Sequence, residues 1–169
     1  MTNVNAIYNR IKNWLIDYNR FTIEESQDKD SYFVFLISKT DQTSKIVPVN
    51  LSFPKNSISE LECVSLTLRW DINTNSGMMS AILNNPQMTN KFIVILKNKL
   101  DLTKYKLEIL PDENDIKSII IFRNLPVITL QRDFLIDEIN NLWSQYDQYP
   151  LAINLCFGMS VLKKPENYR

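Results

Sequence analysis

Runs of acidic side chains are the first places where this sequence could hold a metal ion. Asp112, Glu113, Asn114 and Asp115 place three carboxylates within four positions, and an Asp followed two positions later by an Asn begins an EF-hand loop. The central glycine and the closing glutamate of such a loop are missing here. The run therefore predicts a polar turn between two strands.

Two further acidic groups invite an acid–base interpretation. Asp137 and Glu138 are adjacent in an amphipathic helical pattern, and we predict that both lie on its exposed side. The other group lies near a predicted turn and comprises Glu24, Glu25, Asp28 and Asp30. A solvated surface explains both groups more simply than a catalytic pair does.

Several common chemistries are excluded by composition. The chain has no histidine, which removes Ser-His and Cys-His nucleophiles and the commonest metal ligand. Its two glycines, Gly77 and Gly158, cannot form the GxGxxG or GxxxxGK[ST] loops that bind nucleotide phosphates. An enzyme that uses carboxylates, with or without a divalent metal, stays open as an alternative.

A lysine-rich zone with interleaved aromatic residues offers a second alternative, weak binding of single-stranded nucleic acid. The zone comprises Lys91, Phe92, Lys97, Lys99, Lys104, Tyr105 and Lys106. Asp101 and Glu108 dilute it, and the 19 basic residues of the chain are balanced by 19 acidic ones. Because phosphate neutralisation supplies most of the affinity for nucleic acid, zero net charge makes this function the weaker prediction.

The two cysteines and the apolar runs indicate a cytoplasmic protein. Cys63 and Cys156 each lie in an apolar run, outside any CxxC motif, and are predicted to be buried thiols, with a Cys63–Cys156 disulfide as the minority alternative. Residues 1–15 lack the unbroken apolar core of a signal peptide. The apolar run 151–162 is shorter than the roughly twenty residues that cross a bilayer.

Hydrophobic periodicity predicts helices and strands in blocks. Helices are predicted at 5–18, 88–99, 130–146 and 151–164, with a helical turn at 78–83. Strands are predicted at 21–25, 32–38, 45–53, 60–71, 105–109 and 116–123. Pro48 cannot donate a ladder hydrogen bond, so the strand containing it is predicted to lie at an edge or to carry a bulge. Asn85 and Pro86 form a typical helix start.

The order helix, strand meander, helix, strand hairpin and C-terminal helices predicts the fold class α+β, an antiparallel sheet with helices packed on it. We expect one domain over residues 1–169, because no stretch resembles a linker. Trp14, Trp70 and Trp143 fall on apolar faces and are predicted to pack in its core. Pro150 is expected to end or kink a helix, and Gly158 to mark a close helix contact.

This element order, together with the run Leu66-Thr67-Leu68-Arg69-Trp70, resembles the secretion-chaperone-like (YbjN-like) superfamily. That superfamily includes type III secretion chaperones and uncharacterised archaeal families, and this chain looks like a member of the archaeal kind. The resemblance implies a non-enzymatic module that docks a protein or peptide and often forms a homodimer. It carries no motif, so no catalytic, cofactor-binding or metal-binding residue is assigned and no cofactor is expected.

The apolar C-terminal segment 151–162 predicts a homodimer. A helix that is apolar nearly all round must be covered on more than one side. A second copy is the commonest way to cover leftover apolar surface, and Phe157 and Met159 are the residues expected at that contact. The alternative is that this helix forms the central core of a monomer.

Overall fold

The computed structural model describes residues 3–40, 47–55, 62–72 and 77–158. Within these ranges the chain forms five α-helices and six strands. The helices are α1 (Val4–Asp17), α2 (Gly77–Leu83), α3 (Pro86–Lys99), α4 (Arg132–Tyr146) and α5 (Gln148–Cys156). The strands are β1 (Phe21–Ser26), β2 (Ser31–Lys39), β3 (Val49–Pro54), β4 (Cys63–Asp71), β5 (Lys106–Asp112) and β6 (Asp115–Pro126).

The strands form one antiparallel sheet in the order β1-β2-β3-β4-β6-β5. Consecutive strands pair except where α2 and α3 separate β4 from the β5–β6 hairpin, and β6 pairs with β4. Among the described residues, β1 and β5 therefore form the two edges. The α+β fold with an antiparallel sheet, predicted from the block order of the elements, is confirmed.

One face of the sheet carries the core and the helices. Buried side chains alternate with more exposed ones along β3 and β4, as a half-covered sheet requires. The strand register places Phe35, Leu51 and Leu66 opposite one another on this inner face. Tyr8 of α1 stacks on Phe35 with ring centroids 5.4 Å apart, and α5 brings Tyr149 onto Trp70 at 5.5 Å.

Local signals fix the starts of two helices. The side chain of Asn3 accepts a hydrogen bond from the backbone N–H of Ala6 and caps α1. Asn85 accepts from the backbone N–H groups of Gln87 and Met88, and Pro86 occupies the first helical position of α3. The predicted start of this helix at Asn85-Pro86 is confirmed.

The expectation that Pro48 marks an edge strand is wrong. Strand β3 lies between β2 and β4, and it begins at Val49, one residue after the proline. The missing N–H of Pro48 therefore falls outside the ladder, where it costs no strand hydrogen bond. The first residues of the predicted strand 45–53, at 45 and 46, lie outside the described residues.

The C-terminal helix is shorter than the predicted 151–164. Helix α5 begins at Gln148, carries Pro150 in its first turn and ends at Cys156. Gly158 has φ of 69°, a left-handed backbone conformation that ends helices and favours glycine. Among the described residues, a Cβ atom at Gly158 would meet nothing within 4 Å, so the close packing expected there is not found within them. Residues 159–164 lie outside the described ranges.

The tryptophans mostly follow their prediction. Trp70 and Trp143 are buried in the core, whereas Trp14 is only partly buried and has the Arg10 guanidinium 5.2 Å from its ring.

Of the helices in the described ranges, none is long and apolar enough to cross a membrane.

Candidate functional site

The acidic run at 112–115 is a turn. The Asp112 carboxylate accepts hydrogen bonds from the backbone N–H groups of Asn114, at 2.7 Å, and Asp115, at 3.2 Å. These contacts close the β5–β6 hairpin with the side chain as the local acceptor. The predicted polar turn is confirmed.

Two of the four acidic residues near 24–30, Glu25 and Asp28, are engaged in separate local contacts. Glu25 accepts from Lys12 at 2.6 Å and from Tyr8 at 2.8 Å, and these bonds lower the pKa of its carboxyl. Asp28 accepts from the Ser31 hydroxyl at 2.7 Å. Across the part of the chain that the structure describes, no three acidic or cysteine side chains gather as a metal site would require.

The prediction that Glu138 lies on the exposed side of its helix is wrong. Its side chain is 5% exposed and pairs with Arg123 of β6, whereas Asp137 beside it is exposed. The spacing of three residues from Leu135 and four from Leu142 places position 138 on the buried face of α4. That spacing could have predicted a buried position, but a charged residue at 138 suggested an exposed one.

The buried carboxylate organises a small polar cluster at the start of β5. Besides the Arg123 guanidinium, Glu138 accepts a hydrogen bond from the Tyr105 hydroxyl at 3.3 Å. Burial, reinforced by the negative charge of Glu138, raises the pKa of Tyr105 to about 12. Phe134 covers the Arg123 guanidinium at 5.6 Å. The cluster is a structural anchor, since its one carboxylate is already occupied by two donors.

The predicted basic zone does not form a continuous positive groove. Lys91 donates to the backbone carbonyl of Cys156 at 2.9 Å. Lys97 pairs with Glu113 at 2.6 Å, and the Nζ of Lys104 lies 3.9 Å from Asp101. Because these ammonium groups turn to separate partners, the geometry gives little support to the nucleic-acid alternative.

A groove of about 720 Å³ runs along β5. On the inner side its wall includes Leu107 and Ile109, which lie opposite the buried Ile121 and Ile119 of β6. Leu102, from the connection that follows α3, adds an apolar side chain that is 41% exposed. The inner side of the groove is therefore apolar at the sheet edge.

The same groove extends to the outer side of β5, the side away from the helices. Lys106, Glu108 and Phe122 line it there, with the Lys106 ammonium 5.9 Å from the Phe122 ring. Among the described residues, neither Lys106 nor Glu108 has an ion-pair partner. Residues from both faces of β5 thus line the groove.

This arrangement has the form of a site for strand addition. An edge strand presents unpaired backbone N–H and C=O groups, and an added strand places alternate side chains on the two faces of the sheet. The regular part of the edge ends near Leu110, because the β5–β6 register shifts between Leu110 and Pro111 and proline lacks an N–H. The sequence predicted β5 as a strand, but its edge position depends on the β4–β6 pairing.

The two cysteines lie in different elements, Cys63 in β4 and Cys156 in α5. Both fall within the described residues and are free thiols, so the predicted reduced state agrees with the structure. Cys156 is buried, and burial raises the pKa of its thiol. Cys63, the first residue of β4, is only partly buried, so the prediction that it is a buried thiol is wrong.

No protein-family model matches the chain, and no curated protein matches it significantly. Among solved structures, it is similar to an uncharacterized protein from Methanothermobacter thermautotrophicus, with a TM-score of 0.69. The alignment covers 90% of this chain and 99% of that one at 17% sequence identity. The two chains share a fold, and the resemblance to secretion chaperones stays a prediction.

Proposed function

We propose that this protein is a non-enzymatic binding module that docks an extended segment of a protein or peptide onto β5. The observation that carries the proposal is the groove of about 720 Å³ along this edge strand, which residues of both strand faces line. Backbone hydrogen bonds to the edge supply affinity that does not depend on sequence, and the groove walls select side chains.

The walls define the chemistry of the segment. Apolar side chains at alternate positions fit against Leu107 and Ile109 on the inner face. On the outer face, an acidic residue fits Lys106 and a basic residue fits Glu108. The segment therefore alternates apolar and charged residues, a pattern that an extended region of a client protein can present before it folds.

The contacts of the acidic residues support the non-enzymatic part of this proposal. Asp112 closes a turn, Glu25 pairs with Lys12, and Glu138 is buried against Arg123. A carboxylate-dependent enzyme needs two or more acidic groups free to converge on one substrate. Action in the cytoplasm and relation to secretion chaperones are kept as predictions alongside this function.

Selection from a random peptide library displayed on phage tests the proposal. We expect enriched peptides to alternate apolar and charged residues and to protect β5 amides from hydrogen exchange. Leu107→Asp should weaken their binding at least tenfold, because it places a charge on the apolar wall.

The matched control is Ile23→Asp, since Ile23 is a partly buried inner-face residue of the other edge strand, β1. Circular dichroism establishes that both variants remain folded. No enriched peptide, or peptides that bind both variants as tightly as the parent protein, would contradict binding at β5.

A further inference from the structure

We propose that, in the protein alone, the β5 edge pairs with the β5 edge of a second copy in an antiparallel, two-fold arrangement centred on Leu107. This inference rests on the same open edge as the proposed function, and it commits to a different occupant. A client segment and a second copy then compete for one edge, so client binding separates the dimer.

The charges on the outer face select this register. Residues directly opposite in an antiparallel pair share a face, so a two-fold pair of identical strands is centred on a single residue. Centring on Leu107 places Lys106 of each copy opposite Glu108 of the other, which gives two opposite-charge pairs. Centring on Glu108 places two carboxylates opposite each other, and centring on Lys106 places two ammonium groups there.

The other register that opposes unlike charges is disfavoured by a proline. Centring on Ile109 also gives opposite charges, between Lys106 and Asp112, but it brings Leu107 opposite Pro111. Pro111 has no N–H to donate, and the β5–β6 register already shifts at this point. The irregular end of β5 therefore favours pairing through the segment 105–109.

The inner face agrees with the same register. Leu107 meets Leu107 of the second copy, and Tyr105 lies opposite Ile109, so apolar positions face apolar positions. The Tyr105 side chain is fixed by its hydrogen bond to Glu138, which keeps the start of the edge in place. Leu102, 41% exposed, lies where the second copy would reduce its contact with water.

A charge exchange tests the register directly. Lys106→Glu leaves only acidic residues at the two paired positions of the outer face, and Glu108→Lys leaves only basic ones. Each variant alone should lose at least tenfold in dimer affinity, because like charges then oppose each other. An equimolar mixture should recover the parent affinity as a mixed dimer, since every opposed pair is again of opposite charge.

Size exclusion with light scattering gives the mass, and native mass spectrometry with one variant labelled with ¹⁵N identifies the mixed dimer. Lys99→Glu on α3 and Glu24→Lys on the outer face of β1 are the controls, and both should dimerise like the parent protein. Circular dichroism establishes that each variant is folded, and Lys106→Gln, which removes the charge without reversing it, should weaken the dimer less than Lys106→Glu.

The outcomes separate this inference from the proposed function. The parent protein is measured at about 100 micromolar, on the order of weak affinities. If it is monomeric there and still selects peptides at β5, the dimer alone is overturned. A dimer that survives both charge reversals and is lost on Phe157→Asp lies on α5 and overturns the β5 pairing. Failure to dimerise and failure to bind any peptide at β5 would remove both proposals.

Discussion

The two edges of the sheet differ in their surroundings. At β1, helix α1 reaches the strand, and Lys12 and Tyr8 both bind Glu25. At β5, a groove of about 720 Å³ runs along the strand. Natural sheets close their edges with charges, covering helices or short strands. Here Glu25 of β1 is held by side chains of α1, whereas β5 keeps room for a further strand.

The charged residues at the two edges differ in whether they have a partner. Glu25 has its counter-charge on α1, where Lys12 also has its pKa raised to about 12 by its hydrogen bond with that carboxylate. In the described parts of the chain, Lys106 and Glu108 of β5 lie outside every ion pair. The comparison teaches that Glu25 of β1 serves the fold, whereas Lys106 and Glu108 of β5 are available to a partner.

The largest expected effect comes from the buried anchor of β5. Glu138→Ala leaves the Arg123 guanidinium, 25% exposed, without its carboxylate. Loss of one partner of a buried pair costs about 3 kcal/mol of unfolding free energy, which urea denaturation measures. Hydrogen exchange should also quicken at β5 and stay unchanged at β1.

Asp137→Ala is the matched control, because Asp137 is exposed on the same helix. It should change the unfolding free energy by less than about 0.5 kcal/mol. Equal effects for the two substitutions would show that the cluster does not anchor β5.

A smaller effect is expected from Tyr105→Phe, which removes the hydroxyl that donates to Glu138. We expect a loss of about 1 kcal/mol, typical of one hydrogen bond. Because the folded-state pKa of Tyr105 is raised to about 12, its contribution is complete below about pH 10 and is lost as the pH rises through 12. Urea denaturation from pH 9 to 11.5 should therefore show a shallower fall in stability for the variant.

Tyr149 is the internal reference, since burial also raises its pKa to about 12. Tyr149 still contributes to the pH dependence in Tyr105→Phe. The decrease in unfolding free energy at alkaline pH should therefore be smaller in the variant but still present. An identical pH dependence in the two proteins would contradict the assigned role of Tyr105.

The smallest effect is expected at the β1 edge. Lys12→Met removes the main donor to Glu25, so the pKa of that carboxyl should rise toward its ordinary value. A lowered folded-state pKa stabilises the protein above the unfolded-state value and loses that effect as the pH falls. The unfolding free energy of the variant should therefore depend less on pH between about 5 and 3, the range of carboxyl titration. NMR of the Glu25 carboxyl carbon measures the change in its pKa.

The strands and most helices could be predicted from the sequence because their signals are local. The alternation of β4 and the Asn85-Pro86 start of α3 each lie within one element. Pro48 misled because a proline one residue before a strand and a proline inside it look alike in a hydrophobicity pattern. The end of α5 was missed because the backbone of Gly158, with φ of 69°, outweighs the apolar run around it.

The candidate site could be predicted only in part, because it depends on contacts between distant segments. Glu138 meets Arg123, fifteen residues away and on a different element. The edge position of β5 follows from the pairing of β4 with β6, which no local pattern records. Alternation of Tyr105, Leu107 and Ile109 predicted a strand, and the open edge beside it became visible only with the sheet order.

Backbone hydrogen exchange, measured as a function of protein concentration, tests most directly whether β5 is the interacting edge. Between about 5 micromolar and 1 millimolar, a range chosen to span weak association, we predict growing protection at the amides of residues 105–109 and constant exchange at those of Phe21–Ser26. Protection that grows at β1 or α5 while β5 stays constant would contradict the account.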